Sequence, residues 1–175
     1  SIAGGKLTGY RKMATGVLKH IEHVLGASFG APTGEDGPLP GGDFAGGLET
    51  LAEELTARFQ IEKRTARRLA ELYGSESAEL LVLGAQSLVP GAPVVAGEVE
   101  WAIRYEGAAT VEDVLYRRMR AALYEPECCS ALVEPLGRQM ASLLSWDVER
   151  RDQEIAKAND RLSRDLDFAF EGEVQ

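Results

Sequence analysis

From Leu48 onward, apolar residues recur at three- and four-residue steps and almost never alternate with polar ones. That spacing lines side chains along one face of an α-helix, whereas a half-buried strand needs a period of two. Leu48, Leu51, Leu55 and Phe59 fall on one such face. A second stretch over 61–73 follows and stops at Gly74, and a short apolar helix is expected over 77–86. Aromatic residues make up only 7% of the 175 residues, while Ala, Leu, Glu and Arg are abundant, a mix that favours helix over strand. The only strand candidates are the first few residues and Pro93-Val94-Val95-Ala96. The expected fold is all-α, a compact bundle of about five to seven helices joined by short connections.

The second half of the chain continues the pattern. A loop over 87–97 leads to a helix over 98–106, stopped by Gly107. Thr110 followed three residues later by Asp113 has the arrangement of a capping box, and the helix it begins carries Val111, Val114, Leu115, Met119, Ala122 and Leu123 in one stripe. Beyond Pro126, residues 128–144 place Leu132, Leu136, Met140, Leu143 and Leu144 inward. Pro135 lies inside this stretch and, lacking an N–H, is expected to kink it or split it in two. A last, densely charged helix starts near Ser145-Trp146-Asp147 and keeps Val148, Ile155, Ala158, Leu162 and Leu166 as a narrow stripe. Its tail from Phe168 is expected to fray. No internal repeat is present.

Upstream the organisation changes. Residues 8–25 form a helix pattern with Met13, Val17, Leu18, Ile21, Val24 and Leu25 on one side, Thr8 at the N-cap position and Gly26 at the C-cap. Residues 27–47 are rich in Gly and Pro and include Pro38-Leu39-Pro40-Gly41-Gly42-Asp43. They read as a linker, the one clear internal boundary. Three segments result: 1–26, 27–47 and 48–175.

The formal net charge of −9 argues against a nucleic-acid module, which needs a concentrated basic face. No apolar run approaches the ~18 residues of a membrane span. Cys128 and Cys129 are adjacent, a placement that cannot reach ordinary disulfide geometry, and they read as reduced, buried, small apolar residues. His20 and His23, three apart, lack further ligands, and no metal site is assigned. No nucleophile elbow, P-loop or EF-hand loop is present. Arg64, Arg67 and Arg68 form one basic cluster, and Arg117, Arg118 and Arg120 another. Either could hold a phosphate or an acidic surface, but pairing with Glu and Asp four residues away is the preferred reading.

The N-terminal turn differs from all of these. Gly4 and Gly5 give the backbone freedom to approach a ligand, Lys6 adds a point charge, and Thr8 sits at the positive end of the first helix. The combination suits an electron-rich group such as a phosphate or the pyrimidine edge of a reduced flavin.

Ser1-Ile2-Ala3-Gly4-Gly5-Lys6-Leu7-Thr8-Gly9-Tyr10-Arg11-Lys12-Met13-Ala14 resembles the SxxGGKLTTYRKMA segment of FAD-dependent glycerol-3-phosphate dehydrogenases. Further blocks follow in the family's order. Pro38-Leu39-Pro40-Gly41-Gly42 is similar to its LPGG linker, and Leu69-Ala70-Glu71-Leu72-Tyr73-Gly74-Ser75 to its RYGS helix end. Residues 98–104 are similar to its EVxYAVR helix, and Thr110-Val111-Glu112-Asp113-Val114-Leu115-Tyr116-Arg117-Arg118 to its TLEDVLxRR signature. Trp146 resembles the Trp that opens its final helix.

The resemblance implies that 1–26 is the closing strand and helix of an FAD-binding domain and 48–175 an all-α C-terminal domain. It implies oxidation of glycerol 3-phosphate to dihydroxyacetone phosphate with FAD as cofactor and quinone as electron acceptor, in a protein peripheral to the cytoplasmic face of a membrane. Gly4, Gly5, Leu7 and Thr8 would contact the flavin edge and Lys6 would face the substrate. Gly9 stands where the family has a second Thr, which removes one hydroxyl from that edge. The chain alone is expected to be inactive, with residues 1–12 displaced for want of the sheet and cofactor that would hold them. Expected partners are its own FAD-binding domain and a possible second copy, with no nucleic acid. A peroxide-forming oxidase of the same family and a helical oligomerisation module are the alternatives. The short linker leaves little room for a large insertion and favours the dehydrogenase.

Overall fold

The computed structural model describes residues 5–30 and 37–170, the side chains of 166–170 excepted. It divides into two units, residues up to Pro38 and residues from Leu39. Among the described residues every regular element is helical, and the strand candidate at 93–96 contributes a single antiparallel bridge between Ser87 and Val95. The N-terminal strand candidate falls largely on residues outside the description.

The first unit holds α1 (Tyr10–Leu25), preceded by a short 3-10 turn over Leu7–Gly9. Gly26 closes α1 in the left-handed region, φ 62°, its N–H donating to Glu22 O. Thr8 is not the N-cap. That position belongs to Gly9, because the 3-10 turn takes up Thr8 before the α-helix begins. No residue of α1 is buried, and Leu18, Ile21, Val24 and Leu25 are exposed.

The second unit is the helical body: α2 (Gly47–Phe59), α3 (Lys63–Tyr73), α4 (Ser77–Leu83), α5 (Ala96–Arg104), a π-helical segment (Asp113–Arg118), α6 (Ala121–Tyr124), α7 (Pro126–Leu144) and α8 (Val148–Phe170). Helix α2 packs on α3, α4 on α5 and α7 on α8. Two cores result. One gathers Leu51, Leu55, Leu69, Leu80 and Trp101, and the other Val99, Val111, Leu115, Leu132, Leu136, Met140 and Leu162. Helix α5 belongs to both, Trp101 facing the first core and Val99 and Ala102 the second.

Several boundaries depart from the periodicity for identifiable reasons. Helix α4 stops at Leu83 because the Gly84 carbonyl accepts from Gly97 N (2.9 Å) instead of continuing the helix. Helix α5 starts at Ala96, two residues early, because the Glu98 carboxylate accepts from Val95 N (2.9 Å) and caps it there. The capping box at Thr110 and Asp113 forms as expected: Asp113 N donates to Thr110 Oγ1 (3.1 Å) and Thr110 N to Asp113 Oδ2 (3.0 Å).

The stripe that follows fails after Met119. Met119 N donates five residues back, to Val114 O, and Arg120 then turns left-handed at φ 55°. The π turn adds a residue to the helical count, so Ala121 is buried in place of Leu123, which is 61% exposed.

Helix α7 runs through Pro135 as one element, so the chain does not split there, and Pro126 opens it at a position where a missing N–H costs nothing. Leu143 and Val148 are exposed rather than inward, since Ser145 in the left-handed region reverses the chain between α7 and α8. Asp147 then caps α8 by accepting from Arg150 N (2.7 Å). The Leu166 side chain lies outside the described residues.

Candidate functional site

The N-terminal turn begins at Gly5, because Gly4 lies outside the described residues. Gly5 adopts φ 89°, a region a side chain rarely tolerates, and a Cβ there would press on Met13 Sδ at 2.6 Å. Lys6 is extended, φ −92° and ψ 148°, and its carbonyl accepts from Gly9 N at 2.9 Å, closing the 3-10 turn. Lys6, Leu7 and Thr8 are exposed, Leu7 by 88%. Among the described residues no side-chain hydrogen bond caps either helical start, at Lys6 or at Gly9. The described part of the turn therefore offers an extended lysine, a hydroxyl and unengaged helix-start donors on one short surface. That chemistry suits an anion or a carbonyl-rich ring edge.

In the helical body, the two arginine clusters, about fifty residues apart in sequence, are brought together. Arg68 Nη1 donates to both oxygens of Glu98 (2.8 and 3.0 Å) and to Pro93 O (3.2 Å), and its Nη2 donates to Met119 O (3.0 Å). Tyr73 adds a hydroxyl donor to Glu98 Oε1 at 3.2 Å. Glu98 is fully buried, and each oxygen has partners. Burial, with the neighbouring Glu98 and Glu106 charges behind it, pushes the Tyr73 phenol well above its usual range.

Pairing four residues apart holds for Arg67 with Glu71 and Arg117 with Asp113. Arg64 reaches Glu125 instead, and Arg68 reaches Glu98, both on other elements. Among the described residues Arg118 and Arg120 have no ion-pair partner, and Arg118 Nε is buried without a hydrogen bond. Sequence periodicity gave no sign of the Arg68–Glu98–Tyr73 network. The available signal was a glutamate three residues after Val95, in the first turn of the helix.

Two glycines show why the LPGG-like and YGS-like blocks lie where they do. Ser75 N donates to Gly41 O at 2.9 Å, and a Cβ on Gly74 (φ 54°) would fall on that same Gly41 carbonyl oxygen. Two backbones touch here, and neither position has room for a side chain. Cys129 is buried and Cys128 half-buried, and both thiols are free. His20 and His23 are exposed on α1. Among the described residues no group of three candidate ligands could hold a metal, and no helix is long and apolar enough to cross a membrane.

Comparison with known proteins decides the family. Residues 33–151 match the family described as the C-terminal domain of alpha-glycerophosphate oxidase. The chain belongs to this family. Glycerol-3-phosphate dehydrogenase of Pseudomonas aeruginosa is 35% identical over 129 residues, covering 71% of the chain and 25% of that protein. An alpha-glycerophosphate oxidase of Streptococcus pyogenes is 30% identical over 174 residues, covering 94% of the chain and 28% of that protein. The crystal structure of a Bacillus halodurans glycerol-3-phosphate dehydrogenase complexed with FAD superposes with a TM-score of 0.70 at 28% identity, covering 93% of the chain and 34% of that one. The chain thus spans about a quarter to a third of the relatives it matches. As a member of the glycerophosphate oxidase C-terminal family it is an all-α domain, in agreement with the helical body.

Proposed function

We propose that this chain is the C-terminal part of an FAD-dependent enzyme that oxidises glycerol 3-phosphate to dihydroxyacetone phosphate and passes the electrons to quinone. Residues 1–26 would end the FAD-binding domain, 27–47 would link, and 48–175 would form the helical domain. The observation that carries the reading is the family match over 33–151, joined to the likeness with an FAD-complexed dehydrogenase. Dehydrogenase and oxidase relatives both align with the chain, and the short Gly/Pro stretch at 27–47 supports the quinone-linked form.

The described turn fits one edge of a flavin. Gly5 at positive φ lets the backbone come close, and Leu7 and Thr8 lie at a helix start whose donors favour negative charge. When bound, FAD would supply the hydride acceptor. Gly4, Gly5, Leu7 and Thr8 would hold its pyrimidine edge through backbone groups and the Thr8 hydroxyl. Lys6, extended and exposed, would lie on the substrate side and attract the phosphorylated alcohol. The protein would sit peripherally on the cytoplasmic face of a membrane, with its own FAD-binding domain as principal partner and a second copy as a possible one.

The test is to express the complete polypeptide that carries this chain and supply glycerol 3-phosphate. Reduction of a soluble quinone with little oxygen uptake is expected, and Lys6→Ala should lower kcat/KM by more than tenfold, a loss of about 1.4 kcal/mol or more. The 175-residue chain alone should bind no flavin and show no turnover. Peroxide formation at the quinone rate would move the assignment to the oxidase, and absence of any glycerol 3-phosphate oxidation would overturn it.

A further inference from the structure

The helical stretch that starts at Val111 changes its hydrogen-bond step part-way, and one side chain accounts for the change. In an α-helix, residues seven apart lie within about 20° of each other around the axis. Val111 is fully buried, and so are Val114 and Leu115 on either side of its row. A continuous α-helix would set Arg118 in the row of Val111, its guanidinium among the aliphatic side chains of that core. Burying the charge there without a partner carries a severe desolvation cost.

The backbone avoids that cost. Met119 N donates to Val114 O at 2.9 Å, five residues back, so the turn over 113–118 takes in one extra residue. Met119, 1% exposed, then holds the core position that follows Val111, Val114 and Leu115. Arg118 moves to a half-buried place on the wall of an open cleft, with Glu71, Tyr73 and Glu106. Leu123 N, which an α-helix would direct to Met119 O, donates to Arg120 O at 2.9 Å, and Met119 O accepts from Arg68 Nη2 at 3.0 Å instead.

We propose that Arg118 sets the register of this segment: the π turn keeps its guanidinium out of the core, and an apolar residue at 118 restores the α-helical step. An arginine is ordinary on a helix surface, and only the burial of Val111, seven residues earlier, gives this one its meaning. In the α register residue 118 enters the core, where a leucine has nearly the volume of the methionine it displaces. Met119 turns out into the row of Glu112, seven residues earlier, which is half-buried. The register decides which of two adjacent side chains is sealed from water. The bond from Arg68 to the Met119 carbonyl belongs to the observed register. The device lies wholly within the helical body and does not depend on the flavin reading.

The test is the reactivity of Met119 in the 175-residue chain. The parent, Arg118→Leu and Arg118→Gln are treated with dilute hydrogen peroxide under native conditions, and sulfoxide at each methionine is followed by peptide mass spectrometry. Met140, fully buried in the same core, is the internal reference. In Arg118→Leu, Met119 should oxidise at least about tenfold faster than in the parent while Met140 is unchanged. Nuclear Overhauser contacts should join the introduced leucine methyls to those of Val111. Arg118→Gln removes the charge but keeps an amide that an apolar core rejects, so its Met119 should stay within about twofold of the parent. Met119 that stays protected in Arg118→Leu, or that is exposed equally in Arg118→Gln, overturns the proposal. So does a rise at Met140 in step with Met119, which marks general loosening. Loss of the folded state in Arg118→Leu overturns it too, because the α register offers that side chain an apolar site.

Discussion

Replacing Glu98 probes the contact that joins the two cores. Glu98→Ala removes the acceptors for Arg68 Nη1 at 2.8 and 3.0 Å, Tyr73 Oη at 3.2 Å and Val95 N at 2.9 Å. Arg68, with its side chain only 13% exposed, keeps just the carbonyls of Pro93 and Met119. Breaking a buried pair from one side costs about 3–5 kcal/mol, because a charge stays behind without compensation. A domain of this size has about 5–15 kcal/mol of total stability, so the variant should fold but unfold at much lower urea. Glu98→Gln keeps the volume, yet its amide must point a donor at either Arg68 or Val95 N, and about 2 kcal/mol should be lost. Removing both partners in Arg68→Met/Glu98→Leu should recover most of the loss, since the double change leaves no orphaned charge. The measurement is urea unfolding followed by far-ultraviolet circular dichroism. A Glu98→Ala variant within about 1 kcal/mol of the parent, or a double variant as weak as the single one, would refute the uncompensated-charge argument.

Other positions give independent outcomes. Gly137→Ala drives a methyl into Ile155, whose Cδ1 would lie 2.7 Å away, and should cost about 1–3 kcal/mol in the same unfolding assay, relieved by Ile155→Ala in the double variant. Burial, reinforced by Cys128 and Glu125, pushes the Cys129 thiol up to about 11, so mass spectrometry should find it alkylated by iodoacetamide at neutral pH far more slowly in the folded chain than in urea. Burial opposes ionisation of Asp113, but hydrogen bonds from Ala109 and Thr110 and the charge of Arg117 outweigh it and hold its carboxyl below the usual range. A lowered folded value stabilises above the unfolded carboxylate pKa and is lost as pH falls through the folded one. Asp113→Ala should therefore cost about 1 kcal/mol near neutral pH, with the difference from the parent closing in acid unfolding titrations.

The sequence yields the class of the fold and most helix positions, because each helix of the body keeps an apolar stripe at its own period. It misleads where backbone geometry changes that period. The π turn at 113–118 and the left-handed Arg120 move the buried face from Leu123 to Ala121, and no residue type announces either. The break between α7 and α8 near Ser145 is legible in the sequence, but the left-handed turn of Ser145 is not. The arginine clusters were legible as clusters, but their partners were not. Arg68 and Glu98 are thirty residues apart and meet only because α3 and α5 pack around shared apolar residues such as Trp101. The turn at Gly5, Lys6 and Thr8 was legible as a candidate site from residue types alone, since positive φ, charge and helix start are all written locally.

The blocks by which the chain resembles the dehydrogenases gain a physical meaning when placed in the fold. Gly41 of the LPGG-like block touches Gly74 of the YGS-like block, backbone to backbone. Tyr73, beside Gly74, bonds Glu98, the first residue of the EVxYAVR-like block. Glu98 bonds Arg68, which in turn holds the carbonyl of Met119, immediately after the two arginines of the TLEDVLxRR-like signature. Four of the blocks therefore meet at one polar junction of the helical body. Apolar positions tolerate exchange among residues of similar volume, but two touching backbones and a fully bonded buried carboxylate do not. On that argument, exchanging Leu80 for Met should be nearly silent, while Gly74→Ala should displace the Gly41 loop and break its bond to Ser75.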